Sequence, residues 1–164
     1  MSEPIRILFV CTGNTCRSAM AEAIGKRIAA ERGLTHVEIG SAGTAAWDGA
    51  PASDGALLVG IECGIDLAPH AARALTREIV EQSDLILTMG AHHLERAEAL
   101  GGRGKTYLLT EYASPPEERA GGGRAIADPF GGGLDAYRQA FEELDAEIRR
   151  VFDGISAGRG LQGR

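Results

Sequence analysis

Cys11 and Arg17 bracket a short polar stretch, Cys11-Thr-Gly-Asn-Thr-Cys-Arg-Ser18, with five residues between them. A thiol and a guanidinium at this spacing suit chemistry on a tetrahedral oxyanion. A loop of this length can aim successive backbone N–H groups inward as an anion nest, and a following helix adds its dipole. Gly13 permits a positive φ, and Asn14 is the next most tolerant residue for it. Arg17 offers a planar fork to two phosphate oxygens. The same donors would stabilise a Cys11 thiolate, and Ser18 can hydrogen-bond it. The loop residues Thr12, Gly13, Asn14, Thr15, Cys16 and Ser18 therefore form the expected substrate cradle around the nucleophile. The stretch has neither the Gly-x-x-x-x-Gly-Lys-Ser/Thr nor the Gly-x-Gly-x-x-Gly pattern, so a nucleotide site is not expected.

Releasing a leaving group from phosphorus also needs a proton. Asp128 is the candidate donor. Pro129 holds the backbone extended at Asp128, and Phe130 is expected to anchor the segment through its apolar ring. Taken alone, Asp128-Pro129 also reads as a turn initiator. Trp47, the only Trp, sits in a Gly/Ala loop and is expected with Phe130 to flank the opening. No cluster has metal-ligand spacing, so no metal and no cofactor is expected. His92 and His93 are adjacent, point about 100° apart on a helix, and read as a solvated helix start. His70 and Arg73 read as structural, as does Cys63.

These groups need a scaffold to bring them together. Residues 5–10 are almost continuously apolar, as in a strand covered on both faces. A helix is expected over 19–32, capped by Ser18 or the loop before it and stopped by Gly33, with Met20, Ile24 and Ile28 on its buried stripe. A second strand is expected over 36–40, with Ser41 at its end. Ser53 reads as the N-cap of a helix over 54–63, and Thr76 as the start of one to about residue 82. A third strand is expected over 84–89, a helix over 91–100, a fourth strand over 105–109 and irregular chain over 111–124. The last helix, over 134–152, buries Tyr137, Phe141, Leu144, Ile148 and Val151. Strands alternating with helices imply an α/β fold: a four-stranded parallel sheet with helices on both faces, a flavodoxin-like three-layer sandwich. The site is then expected beyond the carboxyl ends of the strands, where strand order reverses.

At 164 residues the chain is read as a single domain over 1–157 with a disordered tail over 158–164. A formal net charge of −6 argues against a nucleic-acid or anionic-membrane partner. No apolar run is long enough to span a bilayer, and the first residues lack a signal-peptide plan. Three cysteines are too few for a disulfide scaffold, which points to a reducing, cytoplasmic setting and a thiol that stays free. With no heptads, a monomer is expected.

Cys11-Thr-Gly-Asn-Thr-Cys-Arg-Ser18 resembles the signature of the low-molecular-weight protein tyrosine phosphatase family. The likeness continues through Ser41-Ala-Gly-Thr44, Trp47, Gly64-Ile-Asp66 with His70 and Arg73, Asp84-Leu-Ile-Leu87 and Asp128-Pro-Phe130, covering about residues 5–152. It implies a metal-independent phosphatase in which Cys11 forms a phosphocysteine and Asp128 is the general acid, acting on phosphorylated proteins. Within the family, Thr15 together with Asp128-Pro-Phe-Gly-Gly132 and Asp135-x-Tyr137 resembles the bacterial protein arginine phosphatase branch, which implies phosphoarginine as substrate. The alternative is phosphotyrosine. Arsenate reductase shares the loop, but Thr88-Met89-Gly90 and the helix after it lack the cysteines that reduction requires. A non-catalytic phosphoprotein reader would have no need of Cys11 and Asp128. Cys16 is open to two readings: redox regulation through a disulfide with Cys11, or a buried thiol at the helix start.

Overall fold

The computed structural model describes residues 4–156; the tail expected over 158–164 lies outside them. Four parallel strands, β1 (Ile5–Cys11), β2 (Val37–Gly43), β3 (Leu85–Thr88) and β4 (Thr106–Leu108), form one sheet in the order β2-β1-β3-β4. Six helices cover it: α1 (Arg17–Glu31), α2 (Asp54–Glu62), α3 (Arg77–Gln82), α4 (Ala91–Ala97), α5 (Leu109–Ala113) and α6 (Leu134–Ser156). This is the flavodoxin-like three-layer arrangement read from the alternation of elements.

The two faces differ. Ile7, Phe9 and Cys11 point from β1 into the larger core, which α1, α2, α5 and α6 close. Leu8 and Val10, the alternate residues, meet Val80 of α3 and Ala97 of α4 in a smaller core. Helix α6 is fixed by Tyr137, Phe141, Leu144, Ile148 and Val151, all buried. Each large side chain of this kind contributes about 1.5–3 kcal/mol of transfer free energy. Ser53 and Thr76 cap α2 and α3, accepting from Ala56 N and Ile79 N. Gly33, at φ +65°, ends α1 in the left-handed region.

Several boundaries differ from the expectation. Helix α1 starts at Arg17, and its N-cap residue Cys16 makes no side-chain capping bond; Ser18 lies inside the first turn, its hydroxyl committed elsewhere. Strand β2 runs on through Ser41 and Ala42 to Gly43, because Phe9, Val10 and Cys11 of β1 pair with them. A Cβ at Gly43 would sit 2.4 Å from the Thr12 carbonyl oxygen, so glycine is required where β2 meets the loop. Chain 111–124 is not irregular throughout. Leu109 is fully buried and opens α5, which shortens β4, and a 3₁₀ turn occupies Pro116–Gly121. Neither piece is long enough to show a periodic pattern. The helix expected to residue 100 is α-helical only to Ala97 and continues as a π-type turn to Gly102.

Strand order reverses between β1 and β3: the chain passes from β1 to β2 on one side and then to β3 on the other. Crevices beyond the strand ends form at such a point. The loop after Cys11 opens there.

Candidate active site

The loop's shape follows from where its carbonyls go. Cys11 O accepts from Thr44 N, Thr12 O from Ala45 N, and Thr15 O from Ser53 N, each at 2.9 Å. Asn14 O accepts from His70 Nε2 at 2.6 Å, and Cys16 O from Met20 N at 2.9 Å. A planar trans peptide points its N–H opposite its C=O. Tying these carbonyls outward therefore turns the amides of residues 12, 13, 15, 16 and 17 inward, as an anion nest needs. The left-handed residue is Asn14, at φ +57°; Gly13 does not adopt a positive φ, contrary to the expectation. Gly13 instead lines the cavity, where its missing side chain leaves room.

Asn14 is fully buried and acts as the hub behind the loop. Its Nδ2 donates to Ser18 Oγ at 2.8 Å and to Ser41 Oγ at 2.9 Å, while its Oδ1 accepts from Arg73 N at 3.0 Å. Both hydroxyls receive an N–H from Asn14, which leaves their own hydrogens available to other partners. Ser41 donates to Glu22 Oε1 at 2.5 Å. Ser18 Oγ lies 2.8 Å from Cys11 Sγ, where its hydrogen can meet a Cys11 thiolate. Arg73 Nε closes the frame by donating to Ser41 O. His70 and Arg73, read as structural, thus support the loop directly.

A cavity of about 210 Å³ opens above this frame, lined by residues 11–13 and 15–17 together with Asp128 and Phe130. Arg17 is buried, donates from Nη1 to Ile126 O at 2.9 Å, and places Nη2 3.6 Å from Asp128 Oδ2. Its Nε is buried without a partner among the described residues. Ile126 N donates to Met89 O, so the segment carrying Asp128 is tied to the end of β3. Asp128 Oδ1 accepts from Phe130 N at 3.0 Å, closing an Asx turn. Phe130 is 74% exposed and cannot anchor the segment; Pro129 is the buried residue. Trp47, 83% exposed, does not line the cavity.

Cys11, Cys16 and Cys63 are free thiols. Cys16 Sγ lies 3.3 Å from Ser53 Oγ and 3.4 Å from Tyr137 Oη, so α2 and α6 both reach the loop through it. Burial pushes the Tyr137 hydroxyl and the Cys63 thiol above their usual pKa. Among the described residues, no group of three His, Cys, Asp or Glu side chains is arranged to hold a metal ion. Among the described residues, no helix is long and apolar enough to cross a membrane.

The model for the family described as low molecular weight phosphotyrosine protein phosphatase matches residues 6–159. The chain belongs to that family. A protein-arginine-phosphatase of Bacillus subtilis is 40% identical over 155 residues, 93% of this chain and 98% of the relative. The low molecular weight protein-tyrosine-phosphatase PtpB of Staphylococcus haemolyticus is 40% identical over 141 residues, 85% of this chain and 92% of the relative. Among solved structures, the YwlE arginine phosphatase mutant with a phosphorylated active-site serine superposes with a TM-score of 0.85 at 38% identity, covering 96% of this chain and all of that one. As a family member the chain is a hydrolase of the protein phosphatase class.

The structure also corrects the reading of His93. His93 is not part of a solvated helix start. It is fully buried, with Nε2 2.9 Å from Thr12 Oγ1, while His92 is exposed. Burial, His92 and Arg17 push its pKa down to about 4, partly opposed by Asp128. The available signal was position: His93 falls in the first helical turn after β3, at the same sheet edge as the loop. Glu22 was also missed, because it is remote from the loop in sequence and joins it only through Ser41.

Proposed function

We propose that the chain removes phosphate from phosphoarginine in proteins through a phosphocysteine on Cys11. The observation that carries this is one cavity lined by Cys11, Arg17, Thr15 and Asp128. In the first step Cys11 Sγ attacks phosphorus in line. The P–N bond breaks, and the Asp128 carboxyl gives its proton to the departing guanidino nitrogen. In the second step water attacks phosphorus, the S–P bond breaks, and the Asp128 carboxylate takes the proton from water. The inward amides and the Arg17 fork hold the phosphoryl oxygens throughout. The solved arginine phosphatase with a phosphoserine in its active site supports a covalent intermediate by analogy.

Thr15 supports arginine over tyrosine. It lines the cavity, and its hydroxyl can orient a guanidinium N–H or the attacking water where a longer aliphatic side chain would pack on an aromatic ring. The protein-arginine-phosphatase relatives support the same choice. Phosphotyrosine is the second reading, favoured by the exposed Phe130 at the cavity and by the tyrosine-phosphatase relatives.

Turnover of matched phosphoarginine and phosphotyrosine peptides tests the proposal. The expected result is a higher kcat/KM for phosphoarginine, with Thr15→Ile shifting preference toward phosphotyrosine. Faster phosphotyrosine turnover by the unaltered chain overturns the arginine reading. Absence of a phosphocysteine on Cys11 after rapid quench overturns the mechanism.

A further inference from the structure

Thr12 is held from two directions. Ala45 N, on the exit from β2, donates to its carbonyl oxygen, and His93 Nε2, in the first turn of α4, reaches its hydroxyl at 2.9 Å. His93 is itself fixed. Its backbone N donates to Gly90 O at 3.2 Å, and its ring lies against His92 with centroids 3.9 Å apart. Its Nδ1 is buried without a hydrogen-bond partner among the described residues.

A neutral imidazole carries its proton on one nitrogen only. A proton on Nδ1 would leave a buried N–H orphaned. A proton on Nε2 leaves only a lone pair there, which is the smaller loss. The ring is held neutral by burial and by the neighbouring positive charge of Arg17.

We propose, on the phosphatase reading above, that His93 is a positioning residue: its Nε2–H donates to Thr12 Oγ1 and clamps the first turn of the loop. The Thr12 hydroxyl hydrogen is then free to point into the cavity that Thr12 lines. A donor at that place suits a phosphoryl oxygen. The clamp therefore acts on the geometry of the reacting loop more than on the capture of substrate.

Two measurements on the full chain test this. The first is histidine ¹⁵N NMR at neutral pH, which should show the Nε2–H tautomer at His93; an Nδ1–H tautomer overturns the clamp. The second compares variants. Gln places an amide at the reach of Nε2, Asn at the reach of Nδ1. His93→Gln should keep kcat within about threefold, whereas His93→Asn should lose about tenfold or more with KM changed less than about twofold. Thr12→Val should lose as much as His93→Asn, and the double variant no more than either single one. Equal losses in Gln and Asn, or additive losses in the double variant, overturn the proposal.

Calorimetric titration separates failure of the clamp from failure of the phosphatase reading. Orthovanadate, which mimics the five-coordinate phosphorus, should bind about tenfold more weakly to His93→Asn, while inorganic phosphate binds equally to both. A chain that hydrolyses neither phosphopeptide yet shows this difference refutes the phosphatase reading and leaves the clamp standing. Unchanged vanadate affinity overturns the clamp.

Discussion

The loop at residues 11–18 and the segment around Asp128 face each other across one cavity and are held in opposite ways. Behind the loop, Asn14 is fully buried and shares bonds with Ser18, Ser41, His70 and Arg73. The Asp128 side chain is half exposed, and its segment is tied down by the Arg17–Ile126 and Ile126–Met89 bonds, the Asx turn and buried Pro129. In the proposed mechanism Cys11 must meet phosphorus in line, a geometric demand that rigid, fully paired surroundings satisfy. In the same mechanism Asp128 would serve first as acid and then as base, toward a departing group and then toward water, and light tethering lets one carboxyl reach both. Stability is accordingly concentrated on the loop side.

Variants on the two sides should separate activity from stability. Cys11→Ser should lower turnover by about 10⁴-fold or more, because it removes the nucleophile. Asp128→Asn should lower kcat by about 10²- to 10⁴-fold while leaving the denaturant midpoint unmoved, since its side chain is half exposed. Asn14→Ala should do both: it strands buried hydroxyls and puts a Cβ without a stabilising amide at positive φ, costing roughly 4 kcal/mol in urea unfolding. An Asp128→Asn chain as destabilised as Asn14→Ala would erase the contrast between the two sides.

His93 gives the loop side a pH signature. Its folded-state pKa of about 4 lies below the ordinary histidine value of 6.5. Between these pH values the unfolded chain binds a proton that the folded protein does not. Stability from this group is fully present above pH 6.5 and lost as pH falls toward 4, on the order of 3 kcal/mol in all. Urea unfolding between pH 7 and 4.5 should show a loss that largely disappears in His93→Gln. An equal pH dependence in both chains would remove the buried histidine from the account.

How much of this was legible in the sequence follows the same division. The sheet, the helix caps at Ser53 and Thr76, the α6 stripe and the loop with its Cys and Arg are local patterns, and local chemistry specifies them. The Asn14 hub joins residues from position 18 to position 73, and no spacing rule connects those. His93 was hidden by its neighbour: two adjacent histidines look alike in sequence, yet the helix buries one and exposes the other. α5 and the 3₁₀ turn are too short to show a period. Gly13 and Asn14 were both candidates for the left-handed position, and only the outward carbonyl bond to His70 decides for Asn14.

The smallest effect concerns the rim, where sequence treated Trp47 and Phe130 alike. Both are exposed, but only Phe130 lines the cavity with Asp128 and Cys11. Its backbone N–H also closes the turn on Asp128, a bond that truncation of the ring leaves intact. Phe130→Ala should therefore raise KM by about three- to tenfold, the worth of part of one aromatic contact, with kcat little changed. Trp47→Ala should change KM by less than about twofold, because an exposed ring outside the cavity gains little on substrate binding. A larger effect at Trp47 than at Phe130 would mean that the bound peptide extends across the loop after β2, and that the lightly held Asp128 segment is not the only wall that selects substrate.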